Sequence, residues 1–291
     1  MTAHGPSGWA GPAWRAGLTG VTSLACLVLS LPALAQAPVG GALVSQARER
    51  GCESHASAGR LQAEARLNQA AARLARGQTL EAALAAEGYR AERAAVVALR
   101  GLRPAQLGEA LARHACPTLV DVRWSQVGVA QQDQAAWVLF ARPFSPPDPQ
   151  ELPQVRAEVL QRVNQARSQG RRCGAQAFEA APPVQLQSQL HRTAETYAAE
   201  MAAHSHFSHT GRDGSQVGER ARRAGYAWQR IGENLAAGQT TAAQAVQGWL
   251  DSPSHCANLM QPGYTDMGLA YAVDLGSKAG IYWVQVFGTP R

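Results

Sequence analysis

Residues 249–260 read Trp249-Leu250-Asp251-Ser252-Pro253-Ser254-His255-Cys256-Ala257-Asn258-Leu259-Met260. They decide the fold because a helix stop, a helix start and a histidine–cysteine pair fall within one short run. Ala245, Val246 and Trp249 share one face of a helix expected over Ala242 to Asp251. Ser252 then reads as an N-cap with Pro253 at the first helical position, opening the turn that carries His255. Upstream, helical spacing predicts a helix over Val155 to Ser168 and a short one over Gln216 to Ala224, stopped by Gly225. Leu186, Leu190, Ala194, Tyr197, Ala198 and Met201 trace the face of a longer helix. Downstream, Met267 to Val273 and Ile281 to Phe287 are strand-like, and Gly276 to Gly280 turns between them. Helices ahead of an antiparallel hairpin predict an α+β layered domain.

Two more polar clusters accompany the first, and all three are expected in loops. One is His204-Ser205-His206-Phe207-Ser208-His209, followed by Asp213-Gly214; the other is Gly232-Glu233-Asn234-Leu235. The ordered set Phe207-Ser208-His209, Gly232-Glu233-Asn234 and Ser252-Pro253-Ser254-His255-Cys256-Ala257-Asn258 resembles the CAP superfamily. That superfamily comprises cysteine-rich secretory proteins, antigen 5 and plant pathogenesis-related 1 proteins, and the likeness is to its bacterial SCP-like branch. It covers roughly residues 155–288, and Ser254 stands where the family usually has glycine.

The resemblance implies an α-β-α sandwich with a central antiparallel sheet and a cavity that binds divalent metal in several members. Carried over residue by residue, His209, Glu233 and His255 are the expected cavity ligands, with Asp251 as a nearby candidate for a fourth. Two neutral imidazoles and a carboxylate suit Zn²⁺ and leave a position open. His206 is the alternative first histidine. Asn234, Asn258 and Trp249 are expected to be structural, and a metal-free hydrogen-bond network of Glu233, Asn234 and His255 is the competing reading. The leading functional expectation is a binding module for a small molecule, a lipid or an extracellular protein. A metal-dependent hydrolase of peptides or esters, with Glu233 as base, is the second. A disulfide-stapled structural protein of the envelope is the third.

The first half repeats the pattern of the second. Displaced by 140 positions, Cys116 falls on Cys256, Leu119 on Leu259, Trp124 on Tyr264, Gly128 on Gly268 and Ala130 on Ala270. Gly88-Tyr89 matches Gly225-Tyr226, Leu67/Ala71/Leu74 matches Leu190/Ala194/Tyr197, and Ala136-Trp137-Val138 is set against Tyr282-Trp283-Val284. Val44 to Arg48 before Cys52 mirrors Val163 to Arg167 before Cys173. An internal duplication follows. Four cysteines allow three pairings, and the symmetry selects Cys52–Cys116 and Cys173–Cys256. At the matched positions Glu233 becomes Val96 and His255 becomes Ala115, and the interval holding the His209 loop is 14 residues shorter. The first half is therefore expected to be a shorter, degenerate CAP-like repeat over 40–143. A proline-rich linker at 144–153 then leads into the complete domain at 154–291.

Residues 1–35 read as a cleaved signal peptide: Arg15 precedes an apolar run from Ala16 that closes in Ala33-Leu34-Ala35, and Cys26 lies inside that run. Export to periplasm or medium is expected, and it favours disulfides over Cys/His metal clusters at His114/Cys116 or His255/Cys256. With 46% hydrophobic and 16% charged residues, the 291-residue chain is neither disordered nor a small disulfide knot. The net charge of +6 is carried almost wholly by dispersed arginines, Lys278 being the only lysine, so no nucleic-acid partner is expected. No transmembrane segment is expected in the mature chain.

Overall fold

The computed structural model describes residues 39–52 and 55–291; the signal-peptide reading of 1–35, Cys26 included, lies outside the described residues. In chain order the first half contains α1 (Val39–Arg50), β1 (Gln62–Ala63), α2 (Ala65–Ala75), α3 (Leu80–Ala86), β2 (Ala91–Arg100), α4 (Leu107–His114), α5 (Cys116–Leu119), β3 (Gln126–Gln132) and β4 (Ala135–Pro143). The second half contains α6 (Leu152–Arg167), a small hairpin β5 (Arg171–Cys173) and β6 (Gln176–Phe178), then β7 (Gln185–Leu186), α7 (Ser188–His204) and α8 (Val217–Arg223). It ends with β8 (Trp228–Ala237), α9 (Ala242–Asp251), α10 (Pro253–Leu259), β9 (Asp266–Val273) and β10 (Ile281–Pro290).

In the second half β10 lies between β8 and β9, antiparallel to both, and the two-residue β7 joins β9 in parallel. Both faces of this sheet are apolar, so each must be covered. Leu190, Tyr197 and Met201 of α7 cover Ala270, Tyr282, Val284 and Val286 on one side. On the other, Val159 and Val163 of α6, Trp249 of α9 and Leu259 of α10 pack on Leu269, Trp283 and Phe287. This is the expected α-β-α sandwich. Ser252 and Pro253 open α10 as expected, Ser252 with extended backbone and Pro253 in the first turn.

The first half builds the same layers from a shorter chain. Its sheet order, β1-β3-β4-β2, repeats β7-β9-β10-β8 strand for strand, the parallel first pair included. Leu67 and Leu84, from α2 and α3, pack against Leu139 and Ala141 on one face. Val44, Leu107 and Leu119, from α1, α4 and α5, pack against Val127, Val138 and Phe140 on the other. Buried arginines recur as well: Arg48 donates to the carbonyls of Gly59 and Leu119, and Arg167 to those of Pro182 and Leu259. Both matched cysteine pairs are bridged, with Cα–Cα distances of 6.1 Å for Cys52–Cys116 and 5.4 Å for Cys173–Cys256.

One sequence match shifts by a residue. Gly128 faces Leu139 and Gly268 faces Val286 across their hairpins, so Trp137 corresponds to Val284 and Phe140 to Phe287, not Trp137 to Trp283. The strand register, and not the tryptophan in each strand, sets the correspondence. The same register sets Val96 against Leu139 and Glu233 against Val286, which keeps Val96 in the place of Glu233.

The proline-rich segment does not separate the halves. Phe144 packs against the second half's core, Tyr271 donates its hydroxyl proton to the Asp148 carbonyl, and residues 38–291 form one compact unit. No helix among the described residues is long and apolar enough to cross a membrane.

Candidate functional site

Glu233 and Asn234 lie in the middle of β8, an edge strand, and not in a loop as the sequence suggests. Gly232 precedes them because α10 comes very close there: a Cβ would sit 2.3 Å from the Tyr264 hydroxyl and 2.4 Å from Asn258 Oδ1. The fully buried Asn234 locks the two elements together. Its amide donates to the His255 carbonyl (3.2 Å) and to Gln285 Oε1 (3.0 Å), and its oxygen accepts from Asn258 (2.9 Å). Tyr264 in turn donates to Asn258 Oδ1. Trp249 fixes α9 to the same strand by donating its indole N–H to the Leu235 carbonyl (3.0 Å). These bonds set where His255 sits.

His209 arrives on the loop after α7. Ser205 ends that helix in the left-handed conformation (φ 50°), and the Tyr197 hydroxyl holds the Ser208 carbonyl. His209 Nδ1 lies 2.8 Å from Glu233 Oε1, and Glu233 Oε2 accepts from Arg220 at 2.7 Å. The Glu233 side chain is only 2% exposed, whereas His209 is 55% exposed. A carboxylate without a proton only accepts, so His209 carries its proton on Nδ1 and leaves Nε2 for a ligand. The imidazoles of His209 and His255 lie side by side, ring centroids 6.4 Å apart and planes tilted by 52°. Burial lowers the His255 pKa and favours its neutral form, and a proton added to His209 would lower it further.

Arg220 is the functional residue that the sequence reading missed. It stacks 3.6 Å above the Tyr197 ring, donates to the carbonyls of Ser215 and His209, and pairs with Glu233. It is one of three arginines in the run Arg220-Ala221-Arg222-Arg223, and only its helical phase, shared with buried Ala221, sets it apart. Beyond Arg220 opens a cleft of about 570 Å³ whose lining includes Tyr197, Glu200, Asp213 and Arg220 but none of His209, Glu233 and His255.

His209, Glu233 and His255 converge, and one Glu233 oxygen faces His209 while the other accepts from Arg220. Asp251 is exposed at the end of α9, where it accepts from Gln247. His206 bonds the Thr210 carbonyl and has no contact with Glu233. Among the described residues no group of three His, Cys, Asp or Glu side chains is arranged to hold a metal ion.

The family model for the cysteine-rich secretory protein family, CAP, matches residues 160–287. The uncharacterized protein YkwD of Bacillus subtilis is 27% identical over 105 residues, which is 36% of this chain and 39% of that relative's length. The chain thus spans about two-fifths of that relative. Among solved structures, an outer surface protein of Borrelia burgdorferi is similar at 20% identity and a TM-score of 0.39, over 50% of this chain and 97% of the other. An extracellular SCP-domain protein of Bacillus anthracis is similar at 20% identity and a TM-score of 0.38, over 53% of this chain and 52% of the other. The ordered motifs and the family model fall on the same α-β-α sandwich, so it is the second half, residues 160–287, that matches the cysteine-rich secretory protein family, CAP.

Proposed function

We propose that the second half is the ligand-binding module of an exported protein, with the neighbouring imidazoles of His209 and His255 as its binding centre. The observation that carries this reading is the buried Glu233, which fixes one imidazole through Nδ1 beside a second imidazole kept neutral by burial. Carboxylate–histidine pairs of this kind orient metal ligands. A divalent ion, zinc by the donor chemistry, would be held by His209 and His255 and would supply a Lewis-acid centre to which a small molecule, a lipid head group or a side chain of an extracellular protein could bind. Arg220 holds Glu233 in place through Oε2, and the Asn234 network holds His255.

Binding is favoured over hydrolysis because the carboxylate nearest the histidines has no oxygen unengaged to act as base. Export rests on residues 1–35 and on the two disulfides. The first half, with Val96 and Ala115 at the site positions, is a degenerate copy retained for packing or binding.

Zinc titration calorimetry tests the centre. The parent should bind one equivalent, and His209→Ala and His255→Ala should each weaken binding by about tenfold or more. Equal affinity in the parent and both variants would remove the site. Peptide and ester panels should show no turnover, with or without zinc.

A further inference from the structure

The two disulfides occupy matched places in the two halves but differ in surroundings. Cys173 and Cys256 are buried, at 5% and 0% exposure, beneath α6 and α10. Cys52 and Cys116 are both part-exposed and line an open cleft of about 560 Å³ together with Arg50, Glu109 and Arg113. An exposed histidine reaches the bridge: His55 Nδ1 lies 3.5 Å from Cys116 Sγ. Cys52 and His55 exchange two backbone hydrogen bonds. In the second half the residue before the bridging cysteine is His255 of the binding centre; in the first it is Ala115, so nothing of that centre covers the bridge.

We propose that Cys52–Cys116 is a thiol–disulfide exchange site that accepts electrons from an exposed dithiol. Exchange needs an anionic sulfur to reach the bond and a leaving sulfur whose thiolate is stabilised. The cleft supplies the approach, and its two arginines against one glutamate favour an anion. The donor's thiolate attacks Cys52 Sγ and forms a bond to it as the Cys52–Cys116 bond breaks. The electron pair goes to Cys116 Sγ, where His55 Nδ1 stabilises the thiolate or protonates it. The donor's second thiolate then attacks its own sulfur in the mixed disulfide and expels Cys52. The donor ends oxidised to a disulfide, and the bridge ends reduced by two electrons to two thiols. Cys173–Cys256, closed off by packing, stays intact and keeps the second half stapled.

The test uses the full mature chain in native buffer with dithiothreitol, trapped at intervals with iodoacetamide and read by peptide mass. Cys52 and Cys116 should be labelled roughly tenfold or more faster than Cys173 and Cys256, which open only through local unfolding. His55→Gln, a change at an exposed residue, should slow the first pair about threefold or more, as expected for a poorer leaving group, and leave the second pair's rate alone. With free cysteine as a monothiol probe, the trapped adduct should sit on Cys52. Labelling of all four cysteines at one rate, or of the buried pair first, overturns the exchange site. An unchanged rate in His55→Gln, or an adduct on Cys116, overturns the assigned leaving group.

Discussion

Glu233 has two partners, and a glutamine could serve only one of them. An amide offers one acceptor oxygen, so its NH₂ would face either the Arg220 guanidinium or the Nδ1–H of His209. Arg220, only 8% exposed, would lose its counter-charge. Glu233→Gln should therefore lower unfolding stability by about 3 kcal/mol in urea titrations. It should also weaken zinc binding by about 10–100-fold, as the loss of an orienting carboxylate does. His191 offers a second test at this scale. Burial and then the charge of Arg156 lower its pKa to about 4, and its Nδ1 accepts from the Leu269 N–H. Since the folded pKa lies below the usual 6.5, the unfolded chain binds the extra proton, and stability is lost as pH falls from about 6.5 to about 4. In the first half Asn68 makes the same bond, to Val129, without titrating. His191→Asn should abolish about 1–2 kcal/mol of acid sensitivity in that window, the figure being reduced for the half-exposed ring. Both histidines of the centre were legible in the sequence, because loop motifs keep their order. Arg220 was not, because its burial comes from a stacking contact with Tyr197 across two elements.

At the scale of elements, the distance between helix and sheet is set by one glycine in each half. A Cβ on Gly268 would lie 2.2 Å from the backbone carbon of Leu190 in α7, and one on Gly128 would lie 2.2 Å from that of Leu67 in α2. The obstacle is backbone, which has no rotamer to yield, so α7 and α2 would have to lift off their sheets. Gly268→Ala and Gly128→Ala should each cost about 2–3 kcal/mol, seen as a lower urea midpoint, and Gly268→Ala should also loosen the loop that carries His209. Legibility varied by element for a related reason. The helices α6 to α10 and the strands β9 and β10 lie where their apolar spacing puts them, to within a few residues, because burial on one face imposes a period. β8 escaped: at an edge position it carries Gly232-Glu233-Asn234, whose polarity serves the site and hides the strand. The mismatch at Trp137 has a related root, since Trp137 of β4 and Trp283 of β10 look equivalent in sequence until strand pairing sets Trp137 level with Val284.

Across the whole molecule, the first half grips the turn between β9 and β10. Arg90 donates to the carbonyls of Leu275, Ser277 and Lys278 and lies 4.7 Å over the Phe144 ring. Glu92 accepts from Gln244 of α9. From the turn the connection continues inward: the Lys278 N–H donates to Ser205 Oγ, and Ser205 is the left-handed residue that launches the His209 loop. The first half thus holds, through three carbonyls and one hydroxyl, the segment that presents His209. Arg90→Ala would leave those carbonyls to water at a part-buried seam and should cost about 1–2 kcal/mol overall. Its larger effect should be local. Hydrogen exchange should quicken at 274–280 and at 205–210, zinc affinity should fall without any change at the two histidines, and exchange within α6 should stay at the parent's rate, because that helix packs on the far face of the sheet. Faster exchange at 274–280 with no change at 205–210 would mean that the turn and the His209 loop move independently. The first half would then support only the turn.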